Sequence, residues 1–346
     1  MKTLLSASCC ITFTTITSLI SQRIVCLHHH PSTKAHPLYK NTPFAFIFNA
    51  PSDPCSEKHD ISLDLSQFSA VSSPAASAID QPLTLFYNNR LGLYPFVNEQ
   101  TAELHNGGIP QDGNLQRHLE QAAEDISFHI SSEKANGLAV IDWEDWRPVW
   151  MRNWARKIIY QKLSLDSGEF ERAAREFMRE TLKLGKTLRP NQRWGFYLFP
   201  NCYNHRHILN TNYTGQCPEA ERARNDGLHW LWEESTALYP SIYFLEDLKD
   251  SWKAALFVRH RVLEAMRVAQ RPRRSEPIPV YVYNRPVIVG HTQQFLSQVC
   301  TADWDTKLVR VRTPRRTMST SCAAPSCERT RADVSERTRT PAATCT

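Results

Sequence analysis

The sequence predicts an α/β fold, and three observations lead to that prediction. Short apolar runs of strand length alternate with segments whose apolar residues repeat at helical spacing. Such alternation is typical of a parallel sheet, and six strand units within about 250 residues favour a TIM-like barrel over an open doubly wound sheet. The glycine-rich patterns GxGxxG and GxxxxGK[ST] are absent, so binding of a dinucleotide or at a P-loop lacks support.

The predicted strands are compact apolar runs that end in turn residues, and the helices between them carry one apolar face. Gly185 lies close to a helix-stop signal after the second helix. The predicted strands cover Phe44–Ala50, Thr84–Tyr87, Leu138–Ile141, Trp194–Phe199, Ser241–Leu245 and Ile278–Tyr283. The predicted helices cover Leu115–Ile130, Glu169–Leu184, Ala223–Ala237 and Trp252–Val268.

The two ends of the chain differ in composition from its middle. Lys2 is followed by a Leu-, Ile- and Thr-rich stretch, which predicts a secretory signal over residues 1–27; a poorly ordered N-terminus is the alternative. A His- and Pro-containing spacer follows over residues 28–43, and the barrel is predicted over residues 44–299. Residues 300–346 are rich in Thr and Arg without an apolar period, which predicts disorder.

The net charge of +6 is weak evidence for a polyanionic partner. Residues 301–346 alone carry nine basic and five acidic side chains, so most of the excess lies in the predicted disordered tail. We therefore expect no nucleic-acid partner. The chain contains no run of about 18 apolar residues, and we expect no transmembrane segment.

The third predicted strand is followed by two carboxylates. Asp142 and Glu144 are two residues apart, so in extended backbone they point to the same side, at the end of a strand where barrel enzymes place their chemistry. Neighbouring carboxyls push their proton affinities apart, which suits acid catalysis on a glycosidic bond. Trp146 is assigned to substrate binding, since Trp143, Trp146 and Trp150 offer flat surfaces for sugar rings. Spacing alone favours the other interpretation, that the carboxylates are merely solvent-facing residues at a strand end.

A segment rich in Asn, Tyr and Thr carries two signals of the secretory pathway. Asn212 begins the glycosylation triplet Asn-Tyr-Thr, and it lies between Cys202 and Cys217, whose disulfide would fit an oxidising compartment. His205 and His207 lie in the same segment, but their spacing favours surface histidines over a metal site. We predict no metal and no cofactor.

Longer motifs then define a resemblance. The chain resembles the animal hyaluronidases, glycoside hydrolase family 56, and within them the sperm-surface type. The resemblance extends from about Phe44 to about Gln298. The motifs that carry it are Phe48-Asn-Ala-Pro51, Leu85-Phe-Tyr-Asn-Asn-Arg-Leu-Gly92, Asn106-Gly-Gly-Ile-Pro-Gln111, Gly137-Leu-Ala-Val-Ile-Asp-Trp-Glu144, Arg152-Asn-Trp154, Trp194-Gly-Phe-Tyr-Leu-Phe-Pro200, Cys202-Tyr-Asn-His205, Tyr213-Thr-Gly-Gln-Cys217, Leu238-Tyr-Pro-Ser-Ile-Tyr243 and His260-Arg-Val262.

The resemblance implies a modified seven-stranded TIM barrel that hydrolyses the β-1,4 bonds of hyaluronan with retention. It implies a substrate-assisted reaction, in which the acetamido oxygen of the sugar replaces a protein nucleophile. Glu144 matches the general acid and base, Asp142 the residue that orients the acetamido group, and Tyr243 a tyrosine that positions it. The remaining assignments are groove residues Tyr87, Tyr197 and Arg261, with Arg261 facing a glucuronate carboxylate, and the internal disulfide Cys202–Cys217.

Three departures from the family pattern raise a second hypothesis. Asn201 replaces an Asp, and the segment between Ser164 and Glu169 is short, which predicts a late helix start. The similarity stops after Gln298, so the seventh strand and the cysteine partner of Cys55 are expected to be missing. A barrel that lacks its last strand has two open edges. The alternative is therefore a truncated, inactive hyaluronidase product.

The resemblance also implies partners and a location. The expected ligand is hyaluronan, with chondroitin as a second candidate, and we expect a monomer. The chain should be secreted or associated with the cell surface through the secretory pathway.

Overall fold

The structure is a computed structural model that describes residues 2–7, 38, 44–49, 53–61, 71–72, 79–205, 212–243, 245–272, 274–285 and 287–295. Its strands are β1 (Lys2–Ala7), β2 (Phe44–Asn49), β3 (Val71–Ser72), β4 (Leu83–Tyr87), β5 (Phe96–Val97), β6 (Leu104–His105), β7 (Gly137–Asp142), β8 (Gln192–Phe196), β9 (Tyr281–Asn284), β10 (Val287–Ile288) and β11 (His291–Phe295). Its α-helices are α1 (Asp53–His59), α2 (Leu115–His129), α3 (Ile158–Leu163), α4 (Ser167–Leu188), α5 (Glu219–Gly227), α6 (His229–Glu234) and α7 (Lys253–Ala269). Short 3-10 turns cover Pro110–Asp112, Trp150–Arg152, Ala155–Lys157 and Glu246–Leu248.

A parallel sheet of β4, β7 and β8 forms the centre of the molecule, which confirms the predicted α/β class. β7 lies between its two neighbours, so its backbone is hydrogen-bonded on both edges, and all six of its residues are buried. That burial accounts for its apolar sequence, since a parallel strand covered on both faces needs no polar alternation. The register aligns Tyr87 of β4 with Asp142 of β7, at the ends of both strands.

The wall continues from β8 to β9 through residues 238–241, which make isolated parallel bridges instead of a continuous strand. Tyr239 bridges to Tyr197, and Ser241 bridges to Tyr283. The prediction of a strand over Ser241–Leu245 is therefore wrong in position: the pairing lies earlier in the chain. Pro240 lies within residues 238–241, and a proline has no backbone N–H to donate to a sheet ladder. The Pro240 carbonyl still accepts a hydrogen bond from the Tyr283 N–H at 2.8 Å.

The first and last predicted strands, β2 and β9, both pair with β1, and each pairing is antiparallel. The expected open edge between them is thus occupied by Lys2–Ala7, a segment that the sequence assigns to a signal peptide. The signal assignment stays a prediction. Cys55 is disulfide-bonded, which corrects the expectation that it lacks a partner. The predicted tail, residues 300–346, lies outside the described residues.

The helices that flank β7 begin where local capping groups allow. Asn114 accepts a hydrogen bond from the Arg117 N–H at 3.0 Å and so caps α2. Asp166 accepts from the Gly168 and Glu169 N–H groups at 2.7 and 3.0 Å, so α4 begins before the predicted residue despite the short preceding segment. These capping bonds lower the pKa of Asp166.

Two predicted element boundaries are wrong for identifiable reasons. Gly185 does not stop α4, which continues to Leu188; a Cβ at Gly185 would lie 2.7 Å from the Trp194 ring, so this glycine lets helix and strand approach closely. The single helix predicted over Ala223–Ala237 is in fact two helices, α5 and α6, and the second of them ends at Glu234. The chain then joins β8, where the Thr236 N–H donates to the Trp194 carbonyl at 2.8 Å.

Alternation along β7 divides the core into two layers. Leu138 and Val140 pack inside the barrel wall with Tyr197, Tyr239 and Tyr283. The intervening Ala139 and Ile141, and then Trp143, pack into the layer between sheet and helices. Since residues two apart share a face, Asp142 follows Leu138 and Val140 onto the interior face.

Candidate active site

The site forms where β7 ends, because the backbone delivers two carboxylates into different surroundings. Asp142 is the last residue of β7 and is 6% exposed. Glu144 lies beyond the strand, and its side chain is 48% exposed. One carboxylate is therefore held within the barrel mouth, while the other reaches solvent, where it can meet a ligand.

Four tyrosines surround Asp142 from the neighbouring parts of the wall. Tyr87 lies opposite Asp142 in the sheet register, and Tyr197, Tyr243 and Tyr283 follow along the wall. The Tyr197 ring centroid lies 4.8 Å from that of Tyr283 and 6.4 Å from that of Tyr243. The Asn49 amide donates to the Tyr283 hydroxyl at 3.1 Å, so β2 also contributes. The structure thus brings together the predicted Tyr87, Tyr197 and Tyr243.

Both carboxylates act on three of these tyrosines, Tyr87, Tyr197 and Tyr243, whereas Asp142 alone of the two acts on Tyr283. Burial raises the pKa of Tyr87, and the charge on Asp142 adds to it, with a further contribution from Glu144. Burial raises the pKa of Tyr243 and, well above its ordinary value, that of Tyr197, and both carboxylates again contribute. These hydroxyl groups therefore stay protonated and can donate hydrogen bonds to a ligand.

Two cations contact the segment that carries Glu144, and the sequence alone did not single them out. Arg147 Nη2 lies 3.7 Å from Glu144 Oε2, and its Nη1 donates to the Glu144 carbonyl at 3.0 Å. The Lys157 ammonium donates to the Glu144 carbonyl and, at 3.2 Å, to the Asp145 carbonyl. Burial, with Arg147 next in effect, lowers the pKa of Lys157 to about 8. The spacing of three between Glu144 and Arg147 is a sequence signal; Lys157 arrives through a later turn.

Arg261, predicted as a residue of the substrate groove, is buried beneath the protein surface. It is buried, and its guanidinium donates to the Asn204 side chain at 3.0 Å, the Ser241 carbonyl at 2.9 Å and the His205 ring at 2.9 Å. Burial lowers its pKa to about 10, so it remains charged at neutral pH. In this placement Arg261 joins helix α7 to the barrel mouth, and its pairing with a glucuronate stays a prediction.

Trp146 is not placed for the predicted contact with a sugar. It is 2% exposed, its indole N–H donates to the Pro95 carbonyl at 2.8 Å, and its ring stacks on Tyr94 at 5.1 Å between centroids. The segment after β7 folds back over the helix layer and takes this ring into the core. Trp146 therefore supports the segment that carries Glu144, which corrects its assignment to substrate binding.

The predicted disulfide Cys202–Cys217 is present and closes the segment beside the site. Within the closed segment, the Asn204 amide donates to the Gly215 carbonyl at 2.7 Å, and the Tyr213 hydroxyl donates to the Asn204 carbonyl at 2.7 Å. Asn212 is exposed, as a glycosylation acceptor must be, although its modification stays a prediction. His205 is exposed, and His207 lies outside the described residues.

Asn201, where the resemblance predicts an Asp, holds the start of this segment. Its side-chain oxygen accepts from the Tyr203 N–H at 3.1 Å, and its carbonyl accepts from the Asn225 amide at 3.0 Å. The side-chain amide makes the first of these bonds without adding a charge, and the second uses the backbone carbonyl. Over the part of the chain that the structure describes, no three His, Cys, Asp or Glu side chains form a group that could hold a metal ion. Nor, within those limits, is any helix long and apolar enough to cross a bilayer.

A barrel with acidic and aromatic residues at the ends of its parallel strands defines a class, the barrel glycoside hydrolases. The family model for hyaluronidases, glycoside hydrolase family 56, matches residues 33–169 and 165–301. The chain belongs to this family.

Relatives with curated names agree with that membership. The chain is 48% identical to rat hyaluronidase PH-20 over 281 residues, which are 76% of this chain and 54% of the relative. It is 46% identical to human hyaluronidase PH-20 over 77% of this chain and 55% of the relative. Mouse hyaluronidase-2 is 44% identical over 73% of this chain and 57% of the relative. The chain thus spans about half the length of the curated relatives it matches.

Solved structures agree on the fold. Bee venom hyaluronidase is 26% identical and superposes with a TM-score of 0.63 over 76% of this chain and 87% of that one. The same enzyme in complex with a hyaluronic acid tetramer superposes with a TM-score of 0.58 at 27% identity, over 73% and 83% of the two chains. The predicted TIM-like barrel is confirmed.

Proposed function

We propose that this chain is an endo-β-N-acetylhexosaminidase that cleaves the β-1,4 bonds of hyaluronan with retention. The observation that carries the proposal is the division of labour at the end of β7. Glu144 is half exposed and can reach a glycosidic oxygen, whereas Asp142 is buried among hydroxyl donors. Two carboxylates in unlike environments suit an acid and its helper. The family match and the hyaluronic acid complex of the bee enzyme support the substrate.

The first step is a substrate-assisted displacement. The acetamido oxygen of the bound N-acetylglucosamine attacks the anomeric carbon as the glycosidic C–O bond breaks. Glu144 donates its proton to the departing oxygen, and a cyclic oxazolinium ion remains on the sugar. Asp142 accepts a hydrogen bond from the acetamido N–H and balances its growing positive charge, since a buried carboxylate acts strongly at short range. The Tyr243 hydroxyl donates to the acetamido group and fixes its orientation.

The second step returns Glu144 to its acid form. Water attacks the anomeric carbon from the side that the leaving group vacated, and the Glu144 carboxylate takes its proton. The ring of the oxazolinium opens and restores the acetamido group. Two inversions at one carbon give net retention. No protein nucleophile is needed, which is compatible with a site that presents one exposed carboxylate.

We propose that Tyr87, which is half-buried at the mouth, contacts the polysaccharide, and that Tyr197, which is 4% exposed, reaches it through its hydroxyl group alone. Secretion through an oxidising compartment is part of the proposal, because Cys202, Cys217 and Cys55 are disulfide-bonded. Chondroitin cleavage and a monomeric state are further proposals of the same kind.

The test compares three variants in a reducing-end assay with hyaluronan. Glu144→Gln should lower kcat at least about 100-fold, because proton donation is lost while the shape is kept. Asp142→Asn should lower it about 100-fold through weaker charge stabilisation. Glu133→Gln, an exposed glutamate after α2, is the matched control and should leave kcat unchanged. Equal rates for Glu144→Gln and Glu133→Gln would remove Glu144 as the acid.

The alternative hypothesis is an inactive, truncated hyaluronidase product. The structure weakens both observations that raised this hypothesis. Cys55 is disulfide-bonded, and β1 occupies the edge between β2 and β9. Neither observation favours a second function.

A further inference from the structure

Trp154 is a large aromatic residue whose side chain remains exposed next to buried neighbours. It is 56% exposed, whereas Arg152 and Asn153, which precede it, are 2% and 0% exposed. A large exposed apolar surface costs solvation unless a ligand covers it, and contiguous exposed patches mark binding sites. Met151 and Ile158, three and four residues away in sequence, are also exposed.

The segment before Trp154 is held in place by buried polar contacts. Arg152 donates from Nε to Glu221 at 3.0 Å and from Nη2 to Asn225 at 2.8 Å. Asn153 accepts from the Arg147 N–H at 2.7 Å and donates to the Arg147 carbonyl at 2.9 Å. The Trp154 ring is thus presented from a fixed backbone, and little entropy would be lost when a ligand covers it.

A second aromatic ring supports the first from another part of the chain. The rings of Trp154 and Tyr203 meet edge to face with centroids 6.0 Å apart. Tyr203 follows Cys202 of the disulfide, and the Arg152 guanidinium lies 5.2 Å from the Tyr203 ring centroid. The Trp154–Tyr203 pair is therefore built from two segments that are each anchored.

Two links connect this pair to the proposed acid. The Trp154 carbonyl accepts from the Lys157 N–H at 3.2 Å, and the Lys157 ammonium donates to the Glu144 carbonyl. In the second link, the Asn153 side chain accepts a hydrogen bond from the Arg147 N–H, and the Arg147 guanidinium forms the ion pair with Glu144. The exposed ring and the exposed carboxylate thus belong to one connected piece of structure.

We propose that Trp154, supported by Tyr203, is a subsite that stacks on a sugar ring of the polysaccharide beside the cleaved bond. The proposal rests on the proposed function, which supplies the ligand class. A flat aromatic face suits the apolar face of a pyranose. Arg156, two residues after Trp154, has an 87% exposed side chain that lies 3.9 Å from the Glu99 carboxylate, and its guanidinium suits the carboxylate of a uronic acid. The occupant is therefore a sugar of hyaluronan, and a protein partner is the competing outcome.

The experiment measures binding without turnover. In the Glu144→Gln background, hyaluronan oligosaccharides of increasing length are titrated by calorimetry into Trp154→Ala, Trp154→Phe and Trp252→Ala. Trp252 is 64% exposed at the start of α7 and is the matched control. Trp154→Ala should lose about tenfold in affinity for long oligosaccharides, Trp154→Phe should retain most of it, and Trp252→Ala should lose none. The loss should vanish for oligosaccharides too short to reach the ring.

Equal affinities for Trp154→Ala and Trp252→Ala would overturn the subsite. So would a change in self-association, measured by sedimentation, without a change in oligosaccharide binding. The proposed function fails separately, if the unmodified chain does not depolymerise hyaluronan. A chain that cleaves hyaluronan but binds equally without Trp154 refutes the subsite alone.

Discussion

At the scale of single residues, environment separates side chains that look alike in the sequence. Asp142 and Glu144 are predictable as a pair because strand alternation puts them on one side. The difference in burial between the two side chains is not predictable from the sequence, since it arises because β7 ends between them. Trp146 shows the same limit: its identity suggests a sugar-binding surface, yet the backbone after β7 turns it onto Tyr94. Lys157 was missed because 13 residues separate it from Glu144, and only a folded turn joins them.

Lys157 gives a prediction about pH. Its pKa is lowered to about 8, so it is charged at neutral pH and loses its proton as the pH rises through that value. The charged groups that act on it are Arg147, which lowers its pKa, and Glu144, Asp145 and Glu99, which raise it. Loss of the proton weakens its hold on the Glu144 carbonyl. We expect kcat to fall with rising pH in a step near 8 that Lys157→Arg moves to higher pH, because a guanidinium keeps its charge.

The measurement is the pH profile of kcat for hyaluronan cleavage. Lys157→Met should lower kcat about tenfold at pH 7, while Lys162→Met, an exposed lysine on α3, should leave the profile unchanged. Identical profiles for Lys157→Arg and the unmodified chain at pH 8 to 9 would show that Lys157 does not set this step.

At the scale of elements, hydrophobic periodicity locates helices and strands well, and steric detail sets their ends. The strand predicted over Trp194–Phe199 ends at Phe196, and Leu198 beyond it has φ +73, outside extended backbone. Pro240 divides the next pairing segment into isolated bridges. Neither effect appears in a pattern of apolar residues, because one is the backbone angle of a single residue and the other is the missing N–H of a single proline.

Gly195 gives a prediction about packing within the wall. A Cβ at this position would lie 2.2 Å from the Ala237 carbonyl oxygen, so β8 approaches the 236–239 segment closely. Gly195→Ala should therefore lower the free energy of unfolding by about 2 kcal/mol, since packed backbone must move. Denaturant unfolding measures the loss. Gly227→Ala is the matched control, because its Cβ would meet nothing within 4 Å; equal stability of the two variants would contradict the close approach.

At the scale of the whole molecule, the sequence predicts the class of fold and the edge at which the site lies. The motifs from Phe44 to Gln298 carry the family, and the match over residues 33–301 agrees. The sequence pattern does not predict that β1 pairs with β2 and β9. Pairing between strands that are far apart in the chain leaves no signal in the residues next to either strand.

The most direct measurement compares hyaluronan with N-deacetylated hyaluronan as substrates of the unmodified chain. The deacetylated polymer keeps the backbone and carboxylates but lacks the acetamido oxygen that attacks the anomeric carbon. We predict reducing ends from hyaluronan and a rate at least about 100-fold lower from the deacetylated polymer. Equal cleavage of both polymers would contradict substrate assistance at the Asp142–Glu144 site, and no cleavage of hyaluronan would contradict the proposed function itself.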